Sequence, residues 1–239
     1  METYNFTEEE FEKLKEKRWY KITNGAWNDS VINNPNKIGY VIDHISKCKP
    51  ENYKEWERYF FEKVASKKKI REFAAIFKDA ILSKEDLTKA FTFYKMEEKT
   101  ACEMVECRLI YETWLGYIAE KETCKCLIDS LKKDKYEITV KPLSPYEDNK
   151  YAVDFFVYCE EGLVCGIQIK PSTYYKSNQS VVKKTIEDNK NKNKGFVEKY
   201  KAPVEYVYYE RPSMNEYYLI DNDVLTRIKK LVYNKTYPF

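Results

Sequence analysis

The feature that most constrains this chain is a change in the spacing of its apolar side chains. Between residues 37 and 132 they recur at helical intervals. Ile38, Val41, Ile42 and Ile45 fall on one side of a first segment, and Leu109, Trp114, Tyr117, Ile118, Leu127 and Leu131 supply another. Past residue 136 the period drops to two. YEITVKP (136–142), KYAVDFFVYC (150–159) and LVCGIQIK (163–170) each read as a strand, and VEYVYYE (204–210) is the most β-prone stretch of all. A chain with both periods must bury a sheet against helices.

Two regions follow. The first, residues 1–95, reads as helical and the second, 96–239, as the sheet-bearing part. Thr7 followed by glutamates predicts a helix over 7–18. The Asn-rich stretch 24–36, with one Gly and one Pro, predicts a loop or broken turn. Helical spacing resumes over 37–47 and stops at Pro50, and short helices are expected over 52–64, 66–81 and 83–95. Residues 97–132 read as one long helix or two abutting ones. Turn signals lie at Pro145–Asn149 and Glu160–Gly162. Residues 176–201 are lysine-rich and expected to be helical in part; a short strand near Tyr217–Ile220 and a helix over 222–233 complete the chain. The order in the second region is α-β-β-β-α-β, and there is no internal repeat.

Composition removes several functions. The 239 residues are 43% hydrophobic, enough for a sizeable core, and 16% aromatic. Forty-two Lys and Arg against thirty-nine Asp and Glu give +3, so this is no polycation. Six glycines form no GxGxxG and no GxxxxGK[ST] phosphate cradle. The single histidine, His44, excludes mechanisms that need two within a chain. The cysteines at 48, 102, 107, 124, 126, 159 and 165 have no zinc-finger spacing and read as free thiols in a reducing cytoplasm. No apolar run reaches the roughly 18 residues of a membrane helix. The opening METYNFTEEEFEKLKEKRW is too acidic and polar for a secretory signal.

The stretch that carries chemistry is VDFFVYCEEGLVCGIQIKP, 153–171. Asp154 lies in one strand. Gln168 and Lys170 lie two apart on the next and share a face. A Gln and a Lys within an apolar strand are costly to bury without partners. One reading is a Lys–Asp ion pair at a strand edge. The other is a metal-dependent phosphodiesterase. In that reading Asp154, the Gln168 side-chain oxygen and the Ile169 carbonyl offer the hard oxygens magnesium prefers. Lys170 orients the attacking water and offsets negative charge in the transition state.

Asp154 followed by Gln168-x-Lys170, in that order of elements, resembles the PD-(D/E)XK nuclease superfamily over residues 100–210. RLIYETWLGY, GIQIKP, INNPNKIGYVIDHI and EWERYFFE are most similar to type II restriction endonucleases of the MjaI type. The resemblance implies an α/β (α+β) fold: a restriction-endonuclease-like mixed sheet flanked by helices, with a helical N-terminal subdomain. It also implies Mg2+-dependent cutting of double-stranded DNA at a short palindrome by a prokaryotic, cytoplasmic homodimer, with a cognate DNA methyltransferase protecting the host. The pattern departs in two places: Val153 precedes the aspartate, and Gln168 is neutral. A further Glu on the preceding helix is therefore implied, with Glu112 as first choice and Glu120 as second.

Candidate DNA contacts follow the side-chain chemistry of base and phosphate recognition. Asn24, Asn28, Asn33, Asn34 and Asn36 are the N-terminal group; the alternative for them is turn and cap chemistry. Lys67 and Lys68, next to Lys69 and Arg71, and the run that includes Lys183 and Lys184 are basic clusters. Ser172, Tyr174, Tyr175 and Lys176 follow the catalytic strand, and Arg211, Ser213 and Asn215 follow the last long one. A structure-specific or repair nuclease and a non-catalytic DNA-binding module remain as competing functions.

Overall fold

The structure is a computed structural model. It describes residues 4–17, 20, 22–30, 32, 38, 40–85, 87, 97–133, 136–172, 180–210, 219–220 and 222–236. The chain divides into two compact units, Met1–Tyr117 and Ile118–Phe239.

In the first unit, α1 (Glu8–Glu16) starts at a capping box: Thr7 accepts from the Glu10 N–H while the Glu10 carboxylate takes the Thr7 N–H. α2 (Asn24–Ser30) lies where a loop is predicted. Its asparagines are weak helix formers, but Ala26 is fully buried and Asn24 accepts from the Arg108 guanidinium at 2.9 Å, so packing overrides propensity. α3 (Val41–Cys48) and α4 (Tyr53–Tyr59) follow, the latter capped by Asn52. A π-helical turn, Phe60–Val64, leads to α5 (Lys67–Leu82), which buries Ile70, Phe73, Phe77 and Ile81 on one face. α6 (Glu98–Glu106) runs through a second π-turn, Cys107–Tyr111, into α7 (Glu112–Lys133). At this turn Trp56 donates its indole N–H to the Ile110 carbonyl at 3.0 Å. Most of the helix expected over 83–95 lies outside the described residues.

The second unit holds a five-stranded sheet in sequential order: β1 (Thr139–Pro142), β2 (Phe155–Cys159), β3 (Gly162–Pro171), β4 (Val204–Glu210) and β5 (Leu219–Ile220). β1–β2, β2–β3 and β4–β5 are antiparallel, and β3–β4 is parallel. The β2–β3 hairpin turns at Gly162, whose φ of 114° suits a residue without Cβ. Its register steps between Val157 and Tyr158, which pair with Cys165 and Leu163 and leave Val164 as a bulge. α9 (Ser180–Tyr200) lies between β3 and β4, and α10 (Asn222–Thr236) closes the chain.

α8 (Pro145–Tyr151) lies where a turn and the start of a strand are predicted. Ser144 caps it, accepting the Glu147 N–H and donating its hydroxyl to the Glu147 carboxylate, and Pro145 fills its first position. The Pro and Asn that suggested a turn are a helix start and a helix residue.

The sheet is covered on both faces. Ile167, Ile169, Val157 and Val207 pack with Leu127 and Leu131 of α7 and with Val224, Ile228 and Val232 of α10. Opposite, Phe156 packs with Tyr151 of α8 and with Phe196 and Tyr200 of α9. Gly166 is required here, since a Cβ would lie 2.8 Å from both the Phe196 ring and Val153. Among the described residues no helix is long and apolar enough to cross a membrane.

Candidate active site

Asp154 immediately precedes β2. Its N–H donates to the Ile167 carbonyl at 2.8 Å and its carbonyl accepts from the Leu143 N–H at 3.1 Å, so the chain is held on both sides before the strand begins. Phe155 pairs with Ile167, the last pair of the hairpin, and Asp154 lies just beyond it. Gln168 and Lys170, two apart on β3, project from the same face. Asp154 stands beside that pair at the end of the hairpin, its carboxylate reaching the backbone N–H of the residue between them. On the neighbouring strand Tyr206 is level with Gln168 and Tyr208 with Lys170. Their rings stack 6.1 Å apart and continue that face.

The Asp154 carboxylate accepts the Ile169 N–H at 2.5 Å. In a strand the N–H and C=O of one residue point to the same side. The Ile169 carbonyl thus faces the edge beyond the start of β2, where Asp154 stands. Gln168 is 1% exposed, and its side-chain oxygen is buried without a hydrogen-bond partner among the described residues. Such an atom needs an explanation, and a bound cation is one.

Two more acids belong to this cluster. Burial pushes Glu120 up to about 8, helped by the negative charges of Asp154 and Asp148 and opposed by Lys170. Asp148, on α8, rises to about 6 through burial and the charge of Asp154, against Lys170 and Lys192. Asp154 is also raised: burial outweighs the pull of Lys170 and the Ile169 N–H. Three carboxylates around one ammonium leave an excess of negative charge that a divalent cation would relieve. Among the described residues no group of three or more His, Cys, Asp or Glu side chains is arranged to hold a metal ion. A cation here could draw instead on a mixed set of hard oxygens, the Asp154 and Glu120 carboxylates, the Gln168 amide and the Ile169 carbonyl.

Of the two glutamates weighed from sequence, Glu120 is the one electrostatically joined to Asp154. Glu112 accepts from the Tyr20 hydroxyl at 2.9 Å in the first unit. Glu120 lies eight residues, about two turns, further along the same helix. Asp148 was missed because its segment read as a turn.

The expected DNA contacts separate in the same way. Lys67 is held by Glu106 at 2.9 Å and lies over the Phe61 ring, and Asn24 accepts from Arg108. Asn28, Lys68, Lys183 and Lys184 are exposed, and Ser172 is partly exposed just past β3. Asn33, Asn34, Asn36, Tyr174, Tyr175, Lys176, Arg211, Ser213 and Asn215 lie outside the described residues.

Searches of curated proteins and of solved structures give no match. A family model does match: MjaI restriction endonuclease, over residues 20–217, most of the chain and the whole hairpin described above.

Proposed function

Because the chain belongs to the MjaI restriction endonuclease family, we propose that it is a type II site-specific deoxyribonuclease that hydrolyses double-stranded DNA at a short palindrome with Mg2+ as cofactor. Membership makes it a nuclease. The observation that supports the finer reading is the hairpin end, where the Asp154 carboxylate is held by the Ile169 N–H, between the orphaned Gln168 oxygen and Lys170 on β3.

Asp154, Glu120, Gln168 and the Ile169 carbonyl are the residues that would hold the cation. When bound, it would neutralise the scissile phosphate and make a water nucleophilic near neutral pH. The remaining work belongs to the chain. The Ile169 N–H fixes the Asp154 carboxylate in one orientation. Lys170, partly exposed, aligns the attacking water and offsets charge on the phosphoryl oxygens. Asn28, Lys68, Ser172, Lys183 and Lys184 are candidates for holding the duplex. Glu112 is assigned to support of the first unit through Tyr20. A palindromic site is matched by a twofold homodimer, and a cognate methyltransferase would protect host DNA.

Digestion of a long sequenced duplex with Mg2+, followed by end mapping, tests the reading. Discrete fragments with a common end sequence are expected, with no cutting by Asp154→Ala or Lys170→Ala. A smear would point to a structure-specific or repair nuclease. DNA binding without Mg2+-dependent cutting would make the chain a non-catalytic module.

A further inference from the structure

The end of α8 is an unusual support for a reactive carboxylate. Ala152 closes that helix at φ 51°, ψ 53°, a left-handed conformation disfavoured for any residue with a Cβ. Its N–H donates to the Asp148 carbonyl at 2.7 Å. The carbonyls of Tyr151 and Ala152 still need donors, as helix ends do. Both find the same one: the Asn193 amide N–H2 reaches them at 2.8 and 3.0 Å. The Asn193 oxygen accepts from the Tyr206 hydroxyl at 2.6 Å. Asn193 is 8% exposed, so solvent does not share these bonds. Asp154 stands two residues past Ala152, and Tyr206 is level with Gln168.

The geometry points to Asn193 as a positioning residue for DNA cleavage, a buried amide on α9 that locks the left-handed turn ahead of Asp154 and ties it to the strand beside Gln168. The inference rests on Asp154 being the catalytic carboxylate. Asn193 touches no reacting atom. The position needs two N–H donors and an acceptor on one short side chain, which an amide supplies. An aspartate would set oxygen against two carbonyls, and an apolar residue would strand the buried Tyr151 and Ala152 carbonyls.

The test compares the full-length wild type, Asn193→Ala, Tyr206→Phe and the double variant Asn193→Ala with Ala152→Gly. Asn193→Ala should lower kcat by about tenfold or more with KM within about twofold, since a small misplacement near the chemistry slows turnover more than binding. Tyr206→Phe should give a smaller drop of the same kind. Hydrogen exchange at the Ile169 amide, which Asp154 protects, should speed up in Asn193→Ala while Ile228 on α10 keeps its rate. The Ala152→Gly change removes the left-handed penalty, so the double variant should recover part of the lost kcat. Wild-type kcat and Ile169 exchange in Asn193→Ala would overturn the inference, as would a double variant no faster than Asn193→Ala. Failure of the wild type to cut with Mg2+ would instead bring down the nuclease reading, and Ile169 exchange would still decide whether Asn193 holds Asp154.

Discussion

The Asp154 carboxylate takes its hydrogen bond from the backbone N–H of Ile169, the residue between Gln168 and Lys170. One strand thereby holds the acid with its main chain and flanks it with its side chains. An uncharged amide at 154 can keep that bond through its oxygen. Asp154→Asn should therefore leave the melting temperature at or above the wild type, because it also removes one of three crowded negative charges. Cutting should fall by about 10³ or more, since the charge itself is lost. Thermal melts beside a cleavage assay separate the two effects, and a large drop in melting temperature would contradict the arrangement.

Gln168 sets function against stability. Its unpartnered oxygen is a buried cost of about 1–3 kcal/mol without a cation. Gln168→Met, similar in length and lacking that acceptor, should raise the melting temperature of the metal-free protein and abolish Mg2+-dependent cutting. Unchanged cutting would remove Gln168 from the cation's ligands.

Glu120 and Glu112 should behave differently. Glu120→Gln should lose cutting while keeping its fold, because that carboxylate is electrostatically joined to Asp154 and Lys170. Glu112→Gln should lose stability on the order of 1 kcal/mol through the weakened Tyr20 bond and keep the pH profile of cleavage. Denaturant unfolding and pH–rate curves for both variants check this, and the reverse pattern would restore Glu112 as the extra acid.

Glu106 gives a pH prediction for the first unit. It is 1% exposed, and burial raises its carboxyl from 4.5 to about 7 although Lys67 pulls the other way. Between those values the folded chain keeps a proton that the unfolded chain has released. This contribution therefore falls as pH rises from 4.5 to about 7 and is level above it. Glu106→Gln does not titrate, so its stability should decline less over that window, by roughly 2 kcal/mol. Melts of both proteins from pH 4.5 to 8 measure the difference, and parallel curves would exclude the effect.

Gly166→Ala places a Cβ 2.8 Å from Phe196 and from Val153. Overpacking of that kind should cost about 1–3 kcal/mol. Because Val153 adjoins Asp154, cutting should drop as well; a variant that melts and cuts like the wild type would mean that α9 yields freely.

The hairpin was readable in sequence because a strand's period of two fixes which side chains share a face, whatever surrounds it. The shared face of Gln168 and Lys170 follows from that rule. Elements decided by packing were less readable. α2 is helical despite its asparagines because Ala26 and Arg108 anchor it. α8 carried its start signal in Ser144, Pro145 and Glu147, but the same residues serve turns, and seven residues show too little periodicity to choose. The choice between Glu112 and Glu120 depends on which part of a 22-residue helix reaches the sheet, which spacing along one chain does not encode. Lys67 pairs with Glu106, 39 residues away, a partner that spacing along one chain does not reveal.

The two sides of β3 are joined over very different lengths of chain. Asp154 meets Ile169 through a hairpin of fifteen residues, whereas Tyr206 reaches Gln168 only after the whole of α9 has crossed over. Closing a short loop forfeits less chain freedom than closing a long one, and local pairings form sooner. The acid and the amine should therefore find each other early as the polypeptide folds, with the tyrosine wall arriving afterwards. The timing of backbone protection, strand by strand, would record that sequence of events.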